Sequence, residues 1–301
     1  MKLLVTILAS TMSLSAPLIL AAMGGILSER SGVVIIALEG MMLGGAFAAI
    51  AFGSTGGVLA GLFAALIVGA LLGLLHAAAT QKMRIGAIVS GVAINILASG
   101  FTGYLSKVPS IPKEAEGPSI WNIPVLCNIP VLGDVLFRQS PFTYFAWITV
   151  AAMSFFLWRT PWGLRVTAAG ENPEAVKAAG INVVRLRFGA VMAAGMLAAL
   201  GGAQLSLGLV QNFTDNMTAG RGFIALAAIV FGRWRPGGAL IACVFFAFAD
   251  ALQSGLQLVP GIGNKVPSEL LAMLPYVATL VALVFFSKQV QAPAATGDTG
   301  D

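Results

Sequence analysis

TPWGLRVTAAGENPEAVKAAGINVVRLR, residues 160–187, separates two apolar runs at 141–158 and 188–210. Its four basic residues, Arg165, Lys177, Arg185 and Arg187, suit a loop on the side of a membrane that retains positive charge. The centre of the stretch carries the signals of a short helix. Asn172 is a good N-cap, Pro173 fits the first helical position, Glu174 favours the positive end of the helix dipole and Gly180 fits the stop. Ala175, Ala178 and Ala179 fall on one side at i, i+3, i+4 spacing. A short, small-faced helix projecting from a membrane protein suits a groove in a partner.

The rest of the chain agrees with a membrane setting. It is 58% hydrophobic and only 10% charged, with a mean hydropathy of +0.91. An average soluble domain carries roughly 25% charged residues, so the deficit makes this an all-α polytopic membrane protein. Three G-x-x-x-G pairs, Gly40/Gly44, Gly57/Gly61 and Gly69/Gly73, fit close helix packing rather than a binding role. The net charge of +5 does not point to nucleic acid, because the basic residues are scattered over short loops without aromatic partners. Cys127 and Cys243 lie in a long loop and an apolar run, which argues against a disulfide and gives no metal-ligand spacing.

Runs long enough to span, about 20 residues each, read at 3–27, 33–52, 57–79, 85–103, 141–158, 188–210, 237–256 and 269–286. A ninth at 220–232 is short: at ~1.5 Å per residue it reaches about 20 Å, against a core of roughly 30 Å. It either borrows its flanks or is a half-helix buried against protein. The expected count is therefore 8–9 transmembrane helices. With the N-terminus outside and the short run crossing, 11 of the 17 basic residues fall inside, among them Arg30, Lys82, Arg84, Arg159, Arg233, Arg235 and the four of 160–187; if 220–232 is re-entrant, the last segments flip and Lys288 falls outside. Residues 1–290 then form one transmembrane domain, with an inner loop at 159–187 and an outer loop at 104–140. The outer loop holds Pro109, Pro112, Pro118, Pro124 and Pro130, which prevent a long helix. It reads as an ordered cap or as a plain connector. The tail 291–301 is expected to be disordered.

An internal echo is also present. Ile36-Ala37-Leu38 precedes Phe52-Gly53 and Gly56-Gly57, as Ile224-Ala225-Leu226 precedes Phe231-Gly232 and Gly237-Gly238. The two Phe-Gly turns fall on opposite sides, the pattern of an inverted repeat, although short apolar strings also match by chance.

Polar side chains inside spans are costly and face a cavity or the bundle interior. Glu39, Ser90, Asn95, Gln204 and Asp250 are the candidates to line a solute path, the alternative for each being a hydrogen bond between helices. His76 reads as structural, since one histidine is no metal site. Thr218 is placed to cap the short run at 220–232. The chain has no Gly-Lys dipeptide, so a Walker A loop is excluded and nucleotide, if used, binds elsewhere. No catalytic, cofactor-binding or metal-binding set is found, and the chain is not expected to be an enzyme.

GLRVTAAGENPEAVKAAGINVVRLR followed by GMLAALGGAQLSLG resembles the inner loop and next helix of bacterial ABC-importer permeases of the branched-chain amino acid/simple sugar family. ALEGMMLGGAFAA at 37–49, IVSGVAINILASG at 88–100 and FTDNMTAGRGFIALAAIVFGRWRPGGAL at 213–240 are similar to its nucleoside or simple-sugar branch, Asp215 and Asn216 included. The resemblance implies a permease subunit in the bacterial inner membrane, importing nucleosides, or with the same machinery simple sugars or branched-chain amino acids. It implies three partners: an ABC ATPase subunit carrying ATP and magnesium, a second related permease, and an extracytoplasmic substrate-binding protein. Glu171, Asn172, Pro173, Glu174, Ala175, Ala178, Ala179 and Gly180 would then form the helix seated in the ATPase. A stand-alone ion-coupled carrier is the reading from another class; it would use Glu39 and Asp250 as coupling acids and has no need of the small-faced helix.

Overall fold

The computed structural model describes residues 2–122, 129, 132–257, 273, 277 and 292–297. The expected span at 269–286 and Cys127 lie outside the described residues. The helices in order are α1 (Lys2–Arg30), α2 (Leu38–Gln81), α3 (Ala87–Leu105), α4 (Leu132–Leu136), α5 (Pro141–Arg159), α6 (Pro161–Glu171), α7 (Pro173–Ala178), α8 (Val183–Ala203), α9 (Arg221–Phe231) and α10 (Pro236–Gln257). A π-helical segment, Gln204–Val210, continues α8. Among the described residues six helices, α1, α2, α3, α5, α8 with its extension, and α10, are long and apolar enough to cross a membrane. The protein is thus a mostly helical, multi-pass membrane protein.

α2 joins two runs that the sequence reads as separate spans. Its 44 residues would reach ~66 Å if straight, over twice a hydrocarbon core. The chain turns back instead at Gly57, with φ 77° and ψ 176°, a backbone region open essentially to glycine alone. After that turn the second half runs antiparallel to the first: Gly44 lies against Val68 and Leu72, and Gly53 against Gly61.

The α2 hairpin makes its most extensive interface with α8, where bare backbones meet. Gly69 and Gly73 face Gly195 and Val191, and Gly45 faces Ala199. Helices without side chains at the crossing approach closely, which is how apolar helices gain packing where lipid offers no hydrophobic drive. On its other side α8 packs on α1, with Gly24 against Ala194 and Gly201 against Pro17. Leu20, Met23, Ile26, Met41 and Met42 fill the centre.

The expected helix at 33–52 starts later than read. Residues 33–37 are not helical, and α2 begins at Leu38. Their freed carbonyls are held by side chains from elsewhere. The Ser28 hydroxyl donates to Val33 O (2.8 Å), His76 Nε2 to Val34 O (2.9 Å) and Asn95 Nδ2 to Ile36 O (3.0 Å). Irregular backbone at membrane depth persists only when buried in protein and satisfied in this way. Hydropathy sees Val33, Val34, Ile35 and Ile36 as span and cannot register the break.

The described parts of the loop at 104–140 include two short strands and a short helix. Its strands β1 (Trp121–Asn122) and β2 (Arg138–Gln139) pair antiparallel beside α4. Ala115 N donates to Gln211 O (3.3 Å) and Phe213 N to Lys113 O (2.8 Å), so the loop lies on the segment after α8. In the described part of the tail, residues 294–297 form a turn. Ala295 N donates to Gly170 O (2.8 Å) and Gly297 N to Gly32 O (3.0 Å).

Candidate functional site

Two broken segments meet inside the bundle. Residues 31–37 lead into α2, and residues 211–220 lead into α9. Glu39, in the first turn of α2, joins them. Its Oε1 accepts from Thr218 Oγ1 (2.6 Å) and from Gly220 N (2.8 Å), and its Oε2 accepts from Gly222 N (2.6 Å). Glu39 is 8% exposed. A helix N-terminus presents unpaired N–H groups and a positive dipole end, so an anion there is favoured. Thr218 was expected to cap this helix. Instead the N-cap residue is Gly220 at φ 84°, and the Thr218 hydroxyl donates to the Glu39 carboxylate that does the capping. Gly222 has no side chain because the Glu39 backbone occupies that space.

Asn95 of α3 completes the joint. Its Oδ1 accepts from Gly40 N (2.8 Å) while its Nδ2 holds Ile36 O. Ser90 Oγ lies 2.9 Å from His76 Nδ1. Since a carbonyl only accepts, the His76 proton sits on Nε2, and Nδ1 of the neutral ring accepts from Ser90. Glu39, Asn95 and Ser90 are therefore brought together, with His76, around the start of α2. Their polar atoms are engaged by backbone groups, by the Thr218 hydroxyl and, for Ser90 and His76, by one another.

Asp250 lies apart from that cluster, in α10. Its Oδ2 pairs with Arg221 NH2 at 3.2 Å, and the two side chains are 34% and 23% exposed. Arg221 is the first residue of α9, one position before Gly222. A partly exposed ion pair within spanning helices needs water or protein outside it rather than lipid. Arg221 was not among the sequence candidates; its position directly after the glycine cap was the available signal. Gln204 is the fifth candidate. It is fully buried at the start of the π-helical segment, and its side-chain atoms make no hydrogen bond among the described residues.

At the Arg30 end of α1 a second polar set joins helix ends. Trp234 Nε1 donates to Glu29 Oε2 (2.5 Å), and Arg30 Nε donates to Trp234 O (3.0 Å). α9 therefore runs from the buried Glu39 joint to this end. α6 and α7 lie at the same end, where Gly170 packs on Arg30 and Gly32. Asn172 Oδ1 accepts from Ala175 N (3.0 Å) and Pro173 opens α7. Gly180 turns the chain at φ 78°. Glu171, Asn172, Glu174, Ala175, Ala178, Ala179 and Gly180 are exposed, while Val176 is buried and anchors the helix.

The family model described as branched-chain amino acid transport system / permease component matches residues 7–284. The chain belongs to this permease family. It is 42% identical to the guanosine ABC transporter permease protein NupQ of Bacillus subtilis, over 98% of this chain and 96% of that protein. It is 39% identical to the nucleoside ABC transporter permease protein NupC of Lactococcus lactis, over 97% and 95%. In fold it is similar to an inward-facing metal-chelate type ABC transporter, with a TM-score of 0.51 at 16% identity, covering 93% of this chain and 85% of the other. Within this family the chain is a permease subunit rather than an enzyme.

Proposed function

We propose that this permease subunit forms the membrane passage of an ATP-driven nucleoside importer in the bacterial inner membrane. Near-full-length similarity to permeases named for guanosine and nucleosides supports the cargo. The partners are an ABC ATPase, a second related permease and an extracytoplasmic binding protein. ATP and magnesium belong to the ATPase.

The observation that carries the energy source is α7, a capped helix whose small residues face outward between two spans. Closure of the ATPase would displace α7, and through α6 the ends of α1 and α5. The stand-alone carrier loses ground on the same geometry. Its two coupling acids are engaged, Glu39 by three donors and Asp250 by Arg221.

Topology follows with the N-terminus outside and α7 inside. Counting α2 as two crossings, the described helices supply seven, with α9 as the half-helix. Gly255 of α10 packs on Ile7, at the outer end of α1, whereas Ala295 packs on Gly170 at the inner end. The expected span at 269–286 lies between these two contacts, outside the described residues. An inverted repeat is supported by element order. α1, the break at 31–37 and the α2 hairpin run opposite to α8, the break at 211–220 and the α9–α10 pair. Such repeats place their site where the broken segments meet. The Arg221–Asp250 pair is the group there best placed to meet solute, with Glu39, Asn95 and Ser90 holding the backbone behind it.

A cysteine at Ala178 tests the ATPase assignment. In the assembled transporter it should cross-link to the ATPase subunit, with yield changing on ATP addition. Absence of any cross-link from Ala175→Cys, Ala178→Cys and Ala179→Cys would remove α7 from that interface.

A further inference from the structure

α6 lies across the base of the bundle. Its Gly163 packs on Phe156 and Leu157 in the last turn of α5, and its Gly170 packs on Arg30 at the end of α1. Gly163, Val166, Ala169 and Gly170 form its buried face, at i, i+3, i+6, i+7 spacing. Large apolar groups at the start of α6 nevertheless stand in the open. Trp162 is 62% exposed and Leu164 55%, beside Trp158 at 50% in the last turn of α5. These continue an exposed apolar stripe on α5 made by Phe145, Ile148 and Phe155.

Cations are interleaved with the tryptophans. The Arg165 guanidinium lies 5.1 Å from the Trp162 ring centroid, and the Arg30 guanidinium lies 5.5 Å from that of Trp158. Arg159 and Arg165 are exposed. An apolar stripe along a spanning helix meets acyl chains. Tryptophans at its end sit at headgroup level, and arginines beside them meet phosphate.

We propose that Arg159 and Arg165, with Trp158 and Trp162, bind the phosphate of an anionic phospholipid in the inner leaflet, and that α6 is an interfacial helix seated on that lipid. The guanidinium fork suits phosphate oxygens, and a stacked indole holds it at low entropic cost. Continuity with the α5 stripe favours lipid over a protein occupant. The site goes beyond transport itself and is independent of cargo.

The test uses the assembled transporter in nanodiscs of phosphatidylcholine with or without phosphatidylglycerol. A nitroxide is placed at Leu164→Cys in a chain whose Cys127 and Cys243 are replaced by alanine. The label should collide with oxygen and be shielded from an aqueous nickel chelate, at headgroup depth. Retained phosphatidylglycerol, counted by native mass spectrometry, should fall ~10-fold or more in Arg159→Gln/Arg165→Gln, from loss of two cations at an anionic surface. The Arg159→Lys/Arg165→Lys variant should retain most of it. A label freely reached by the nickel chelate would overturn the proposal, as would one shielded from both reagents by the ATPase. Equal phosphatidylglycerol retention in the glutamine variant would do the same.

Discussion

Glu39→Ala removes the carboxylate that accepts two backbone N–H groups at the start of α9 and the Thr218 hydroxyl. Three donors, Thr218 Oγ1, Gly220 N and Gly222 N, then lose their acceptor inside the bundle. Each orphaned buried donor costs ~1–3 kcal/mol, so three give roughly 3–9 kcal/mol. Local relaxation and entering water bring the expected loss to about 3–5 kcal/mol, the range for breaking a buried charged network. Glu39→Gln separates the contributions. Its amide oxygen still accepts on one side, but its NH2 now faces a donor, so a loss of ~1–3 kcal/mol is expected. Thr218→Val should cost less in the Glu39→Ala background than in the wild type, because the two share one hydrogen bond. The assay is unfolding of the purified permease by SDS titration in mixed micelles, followed by tryptophan emission. A Glu39→Ala variant as stable as the wild type would refute the reasoning. So would a glutamine variant as damaged as the alanine one.

Other outcomes follow from the same geometry. Gly195→Leu should prevent α8 from closing on Gly69, costing ~1–3 kcal/mol or more and lowering the folded yield seen by fluorescence-detected gel filtration. Ala178→Trp, at an exposed position, should leave insertion intact while abolishing ATP-dependent uptake; unchanged uptake would remove the coupling role. Gly180→Val forces a branched residue to φ 78°, at ~1–2 kcal/mol, and should likewise impair uptake with normal insertion. Asp250→Asn leaves Arg221 uncompensated in a partly exposed site. A loss of about 1–3 kcal/mol in the same SDS titration and slower uptake are expected, with Asp250→Glu restoring most of both.

Much of this fold is legible as hydropathy, because spanning helices must be long and apolar. The α7 helix is legible too, since Asn172, Pro173 and Gly180 each carry a local signal that needs no tertiary context. The break at 33–37 is not. Valine and isoleucine serve equally well in a spanning helix or in a buried extended segment, and the difference lies in who satisfies the carbonyls. Ser28, His76 and Asn95 do so from two other helices and the end of α1. Each looks like an isolated polar residue in the sequence. Glu39 was legible as a costly buried acid, but its partners are about 180 residues away, so capping could not be separated from solute contact. Arg221 is not legible as a site residue, because sequence alone does not place the start of α9 at membrane depth. Its pairing with Asp250 became visible only when α9 and α10 packed together.

The most direct measurement is uptake of labelled guanosine into proteoliposomes holding this permease, its partner permease and the ATPase, with the binding protein outside and ATP inside. Accumulation should require ATP, stop with Ala178→Trp, and be competed by unlabelled nucleosides but not by galactose or leucine. Accumulation by this chain alone, driven by an ion gradient, would contradict the assignment. Competition by a sugar or by leucine in place of nucleosides would overturn the cargo.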